Sequence, residues 1–312
     1  MTGSIRVGAL LWPQTDSWPA LRDAAIRADQ AGLDSLWTWD HLMSIVGPFE
    51  QPILEGWTTL AALAALTTRP TLGLMVGANP FRNPGLTAKL ATTLDQISGG
   101  RAILGIGGAW FGREHEGYGI DFGSGFGERL DRLDEAVMLI RRLLDGERIA
   151  DHAGRFYTMH DALVEPRPIQ KRLPILIGGS GPQKTLRTTA RYADAWNAGG
   201  TLADLKHDDA ILRERCAEVD RNTDEIERTS SVWMLIRDDP AEARRVLAAN
   251  AAANGDKLAD DDDEAFVGSP EKIADELRPI VELGFRHIIV DTMAPYDAET
   301  LERLPEVRER LA

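Results

Sequence analysis

Ser35-Leu36-Trp37-Thr38-Trp39-Asp40-His41 reads as a short buried strand that ends abruptly in two titratable side chains. Its body is apolar and aromatic, which predicts cover on both faces, as in a parallel sheet packed between helices. In a parallel α/β barrel the carboxyl ends of the strands supply the catalytic groups, and Asp40 and His41 stand at that end. Histidine titrates near neutral pH, and a neighbouring carboxylate can fix its tautomer and favour its protonated form. A loop aspartate capping the next element beside a surface histidine fits the same spacing equally well, because an Asp-His dipeptide is not a rare motif.

Working outward, Ile5 to Trp12 predicts a first strand, and Trp18 to Ala31 a helix closed by Gly32. Helices are expected from about Glu55 to Thr68 and from Pro84 to Ser98, with a strand over Thr71 to Ala78 between them. Ala102 to Gly108 is the fourth strand, followed by a long glycine-containing loop to Gly127 and an amphipathic helix ending near Gly146. Between Arg148 and Pro174 the rhythm breaks into short strand-like pieces with Gly154, Pro166 and Pro168, which marks an insertion. Strands resume at Pro174 to Gly179, Ala195 to Ala198, Thr229 to Ile236 and Arg286 to Asp291. Helices accompany them over Pro182 to Tyr192, Leu202 to Asp220, Pro240 to Asn250, Pro270 to Leu283 behind an N-capping Ser269, and Asp297 to Leu311.

Eight apolar strands separated by helices predict an α/β fold, a (β/α)8 TIM barrel with insertions. A single domain is expected over residues 1–312, with the insertion at about 148–174 and a variable region at about 250–268. An open doubly wound sheet competes. Its nucleotide turn needs Gly-x-Gly-x-x-Gly, and Gly105-Ile106-Gly107 lacks the third glycine.

The 312 residues are 43% hydrophobic and 27% charged, enough apolar content for a large core. Lys and Arg number 35 against 49 Asp and Glu, and the net charge of −14 argues against nucleic acid and anionic membranes as partners. Cys216 is the single cysteine, so intrachain disulfides and cysteine-cluster metal sites are excluded, which suits a reducing cytoplasm. It reads as a partly buried bystander. No secretory signal and no membrane-spanning apolar stretch are evident, so a cytoplasmic, soluble protein is expected. The run Asp260-Asp261-Asp262-Asp263-Glu264 has no calcium-loop spacing and reads as a solvated acidic loop. A metal-dependent barrel hydrolase would need ligands at several strand ends, where only Asp40, His41 and Asp291 qualify.

Three further strand ends carry glycine. Met75-Val76-Gly77-Ala78-Asn79-Pro80 runs from strand into turn residues, and Gly105-Ile106-Gly107-Gly108-Ala109 would let a flat ligand approach the backbone. Ile177-Gly178-Gly179-Ser180-Gly181-Pro182-Gln183-Lys184 leads into a helix, where amides and dipole suit a phosphate, and Lys184 and Arg187 could add charge. Tight strand-to-helix packing explains any one of these. Three at one rim beside Asp40 and His41 favour a planar, phosphate-bearing cofactor. Trp12, Trp39, Trp110, Phe111 and Tyr118 fall at or beyond the same ends as apolar walls, whereas Trp37 is expected to be core.

With these motifs the chain resembles the luciferase-like flavin and deazaflavin oxidoreductases, in particular the branch that uses the deazaflavin coenzyme F420. The resemblance rests on Trp39-Asp40-His41, Glu55-Gly56-Trp57, Asn83-Pro84, Ala88-Lys89-Leu90-Ala91-Thr92-Thr93-Leu94-Asp95 and Ser98-Gly99-Gly100-Arg101. It continues through Leu104-Gly105-Ile106-Gly107, Trp110-Phe111 with Glu114-His115, the Pro174 to Gly181 segment, and Ala190 to Asn197. It implies a barrel, usually dimeric, with the ring at its mouth on a bulge containing a non-prolyl cis peptide at Met75-Val76. Cofactor contacts would come from Asp40, Met75, Val76, Gly77, Asn79, Gly107, Gly108, Ala109, Gly178, Gly179, Ser180, Gly181 and Gln183. His41 would be the catalytic proton group, oriented by Asp40, with Trp12, Trp39, Trp110 and Glu114 around the substrate and no metal. One position departs from the sugar-phosphate dehydrogenases of the family: their glutamate after Gly107-Gly108-Ala109 is Trp110 here, so Glu114 or His115 is left to substitute. The expected activity is hydride transfer between F420 and a small, apolar organic substrate, with a homodimer and a separate cofactor-reducing enzyme as partners. The alternatives are an FMN-dependent, two-component monooxygenase using reduced flavin and oxygen, and a catalytically silent cofactor-binding barrel.

Overall fold

The structure is a computed structural model and describes residues 4–255 and 265–312; the acidic run at 260–264 lies outside them. In chain order the elements are β1 (Arg6–Leu11), α1 (Trp18–Ala31), β2 (Ser35–Thr38), α2 (Gly56–Leu66), β3 (Thr71–Leu74), β4 (Gly77–Ala78), α3 (Pro84–Ser98) and β5 (Ala102–Gly107). They continue with α4 (Gly112–Tyr118), α5 (Phe126–Leu144), β6 (Ile149–Ala153), β7 (Thr158–Ala162), β8 (Ile175–Gly178), α6 (Thr185–Tyr192) and β9 (Ala195–Ala198). The last are α7 (Leu202–Ala217), β10 (Glu227–Ile236), α8 (Pro240–Ala253), β11 (Ala265–Gly268), α9 (Pro270–Leu283), β12 (Phe285–Thr292) and α10 (Ala298–Leu311).

Eight parallel strands close into a barrel in the order β12-β1-β2-β3-β5-β8-β9-β10, with β10 pairing back onto β12. Alternate side chains of each strand point inward, and Leu10, Trp37, Ile103, Leu176, Ala195 and Ile289 fill the interior. The opposite faces meet the helices in one continuous apolar core. Large and small residues complement each other across strands: a Cβ on Gly73 would stand 2.5 Å from the Trp37 ring. The expectation that Trp37 is core holds, since it is fully buried.

At the amino-terminal end of the barrel a polar plug is sealed in. Ser35 Oγ lies 2.7 Å from His287 Nε2 and accepts from Trp37 Nε1 at 2.8 Å. His287 Nδ1 faces Glu227 at 3.3 Å, and Arg6 donates to both oxygens of Glu227 at 2.9 and 3.2 Å.

Four features differ from the sequence expectation. The strand foreseen over Thr71 to Ala78 is broken in two at the Met75-Val76 peptide, which is cis as the resemblance implied, and β4 pairs β5 alone. The long loop before Gly127 contains α4, too short and too polar for its periodicity to register. The variable region at about 250–268 contains the end of α8 and the strand β11, which takes over as neighbour of β10 at Trp233 to Ile236 after β9 has paired Glu227 to Ser230. The short strand-like pieces foreseen at 148–174 do pair, as an antiparallel β6-β7 hairpin. Cys216 is fully rather than partly buried, and burial pushes its thiol up from the ordinary value.

Candidate active site

The segment that follows β2 carries Asp40 and His41 to the carboxyl-terminal mouth of the barrel, where the two side chains find different partners. Asp40 turns into the wall. Its Oδ2 accepts the Ala78 amide at 2.9 Å and Arg82 Nη1 at 2.5 Å, while Oδ1 accepts Arg82 Nη2 at 2.9 Å. Arg82 also donates to Glu55 at 2.8 Å. Burial pushes the Asp40 carboxyl up, opposed by the Arg82 fork and the Ala78 amide. Burial works against the Arg82 charge too, but its two carboxylate partners hold its pKa above the ordinary value. Protonating Asp40 would forfeit a bidentate, charge-assisted contact, so the pair stays ionic.

His41 faces the cavity and takes its orientation from Glu114, not from Asp40. Its Nδ1 lies 2.9 Å from Glu114 Oε1, and Glu114 Oε2 accepts the Leu42 amide at 2.8 Å. Both carboxylate oxygens are acceptors, so Nδ1 carries the proton and Nε2 is the ring nitrogen left for the cavity. The expected Asp40–His41 couple is corrected: Asp40 is engaged by Arg82 and the Ala78 amide, and the carboxylate on His41 comes instead from α4, where Glu114 is 1% exposed. Trp39, Trp110 and Phe111 pack edgewise on the imidazole at centroid distances of 5.8, 5.6 and 6.1 Å.

These groups border a cavity of about 320 Å³. Of the residues singled out in the sequence, it brings together Asp40, His41, Met75, Val76, Gly77, Gly107, Gly108, Ala109, Trp110, Glu114, Gly178, Gly179, Ser180 and Gly181. Of those expected to touch cofactor or substrate, Asn79, Gln183, Trp12 and Trp39 are not on its wall. Asn79 is buried with its amide donating to Tyr157 Oη at 3.1 Å, and Gln183 is exposed on the surface. Trp12 and Trp39 are 5% and 6% exposed and stack against each other at 4.4 Å inside the barrel mouth. Lys184 is tied to Asp131 at 2.5 Å and to the Gly127 carbonyl at 2.9 Å, so its charge is already partnered.

Sequence reasoning missed Arg82, Phe126, Leu130, Thr185 and Asn197. Arg82 had a signal, as the single basic residue among the turn formers between Asn79 and Pro84. Phe126 and Leu130 reach the cavity from α5 and Asn197 from β9, and nothing local in those stretches indicates it.

The glycines at the strand ends leave room for the Val76 side chain. A Cβ on Gly107 would stand 2.8 Å from Val76 Cγ2, and one on Gly178 would stand 2.9 Å from Val76 Cγ1. Val76 therefore forms a platform that only bare backbone can approach from both neighbouring strands. Ala109 adopts φ 62° and Gly179 φ 107°, which turns the two loops at the rim.

A closed parallel barrel with an imidazole, a carboxylate and a glycine-lined slot at its mouth is the architecture of a cofactor-using barrel enzyme. The sequence pattern of the luciferase-like monooxygenase family matches residues 4–287, and the chain belongs to that family. An F420-dependent glucose-6-phosphate dehydrogenase of Kineococcus radiotolerans is 35% identical over 232 residues, 72% of this chain and 66% of the relative. A phthiodiolone/phenolphthiodiolone dimycocerosates ketoreductase of Mycobacterium bovis is 31% identical over 284 residues, 81% of this chain and 72% of the relative. Among solved structures, an F420-dependent secondary alcohol dehydrogenase in complex with an F420-acetone adduct superposes with a TM-score of 0.82 at 19% identity, covering 98% of this chain and 99% of that one. No described helix is long and apolar enough to cross a membrane.

Proposed function

We propose that the protein is an F420-dependent oxidoreductase that transfers a hydride between the deazaflavin and a small organic carbonyl or alcohol. The observation that carries this reading is the Val76 platform between Gly107 and Gly178, with the His41–Glu114 pair on the same cavity. The relatives named above, both oxidoreductases, one of them F420-dependent in name, support it.

The cavity volume is at the small end of ligand sites, so it suits the ring, while a phosphorylated tail would pass along Gly178 to Gly181 towards the start of α6. The bound deazaflavin would supply the hydride. Met75, Val76 and Gly77, on the cavity wall, would hold it, and Asp40 keeps that bulge in place through the Ala78 amide. His41 Nε2 gives or takes the proton that accompanies the hydride at the substrate oxygen. Glu114 keeps Nδ1 protonated, so Nε2 is the atom that exchanges the proton. Trp110 and Phe111 keep water away from the imidazole edge. A homodimer, a cytoplasmic location and a separate enzyme that recycles the cofactor belong to the same reading.

Fluorescence quenching on titration with F420 and, in parallel, with FMN tests it. Saturable binding of F420 in preference to FMN is the expected result. Preference for FMN, with oxygen consumed on reduction, would instead assign a monooxygenase.

A further inference from the structure

Opposite the cofactor cavity, the mouth of the barrel holds a carboxylate that nothing above uses. Asp291 is the last inward-facing residue of β12 before Met293, beside Trp233 in the β10–β12 register and Leu10 in the β1–β12 register. Among the described residues its one hydrogen-bond partner is Trp12 Nε1, at a long 3.4 Å, and no Lys, Arg or His pairs with it. It is half-buried, and burial pushes its carboxyl up to about 7.

Aromatic rings surround it. Trp12 meets Trp233 edge-on at 5.0 Å and Trp39 at 4.4 Å, and Trp39 in turn packs on His41. A wall of largely buried rings, linked by contact, therefore stands between the proton group and Asp291. Asp291, Ser231 and Trp233 border a cleft of about 430 Å³ beside the point where β10 exchanges β9 for β11 as its neighbour. Asn197, on the wall of the cofactor cavity, donates to Ser231 of the cleft at 3.2 Å, so this hydrogen-bonded pair stands between the two spaces.

A carboxylate in an apolar mouth without a cation destabilises the free protein, and a ligand bearing the missing cation would relieve it. Tryptophan faces attract the same kind of group. We propose that Asp291, with Trp233, recognises a protonated amine on the substrate, so that this enzyme acts on an apolar molecule carrying an ammonium group away from its reacting carbon. Sugar phosphates and carboxylates are thereby rejected, since an anion would meet Asp291 unpaired. The inference rests on the oxidoreductase reading for the reaction itself but not for the binding.

The test uses the protein without cofactor and reads the tryptophan fluorescence of the wall. Benzylamine is expected to bind at least about tenfold more tightly than benzyl alcohol, and benzoate not at all. Asp291→Asn should erase that preference while melting no lower than the parent at pH 8, because an ordinary structural partner would be missed and this one is not. F420 binding to Asp291→Asn should be unchanged, and a failure of F420 to bind either form would count against the cofactor reading alone. Equal binding of benzylamine and benzoate, or an intact amine preference in Asp291→Asn, would overturn the proposal.

Discussion

His41 and Glu114 form a unit in which each member has a distinct job. Glu114 satisfies two donors, the imidazole Nδ1 and the Leu42 amide, and glutamine offers only one acceptor oxygen to the pair. Glu114→Gln is therefore expected to lower kcat while leaving the dissociation constant for F420 unchanged. His41→Ala should lower kcat by about 10²-fold or more. Asp40→Asn acts elsewhere: it loosens Arg82 and the Ala78 amide, so its signature is weaker cofactor binding. Paired kinetics and cofactor titrations separate the three, and a large kcat loss in Asp40→Asn with binding intact would restore it as the partner of His41. The residue types were legible in the chain, since Asp40, His41 and Glu114 were all marked. Their pairing was not, because a 73-residue separation between His41 and Glu114 leaves no local pattern.

The strand ends β3, β5 and β8 act together through their glycines. At Gly107 and Gly178 an added Cβ meets only the Val76 side chain, which can shift, whereas at Gly105 it would stand 1.8 Å from the Leu74 carbonyl oxygen, which cannot. Gly107→Ala is expected to fold with a loss of about 1–3 kcal/mol, as overpacked sites do, and to bind F420 more weakly. Gly105→Ala should fail to accumulate as folded protein. Thermal melts and soluble yield of the two variants make the comparison, and a Gly105→Ala protein as stable as the parent would mean that β3 and β5 are further apart than described. The glycine clusters pointed to these strand ends directly. That Val76 is the side chain they make room for could be seen only once β3, β5 and β8 were neighbours.

The barrel as a whole is closed at its amino-terminal end by a plug that responds to acid. His287 is pushed below its ordinary value by burial, against the pull of Glu227, so the folded protein resists taking a proton that the unfolded chain accepts below about pH 6.5. Burial also works against Glu227, but the nearby His287 ring and Arg6 guanidinium outweigh it and bring the carboxyl down to about 2. Its contribution is present above its ordinary value and is lost as pH falls through the window towards 2. Both shifts predict a melting temperature that falls on acidification, in two stages. His287→Gln should flatten the upper stage, between about pH 7 and 5, and, by removing one of the two partners that hold Glu227 down, should also bring the lower stage in at a higher pH. A pH dependence identical to that of the parent would remove His287 from the account.

The order of strands and helices, the barrel class, and the glycine and Asp-His marks at the strand ends were determined by the sequence, because periodicity and turn chemistry are local. Tertiary structure decided which marked residues face one another: Glu114 rather than Asp40 on His41, Arg82 on Asp40, and Asp291 unpaired among tryptophans. It also revealed α4 and β11, whose seven and four residues are too few for a period to show. The physical reason is closure. Side chains that converge at the mouth of a barrel come from strands far apart in the chain, and only the curvature of the completed sheet brings them within hydrogen-bonding range.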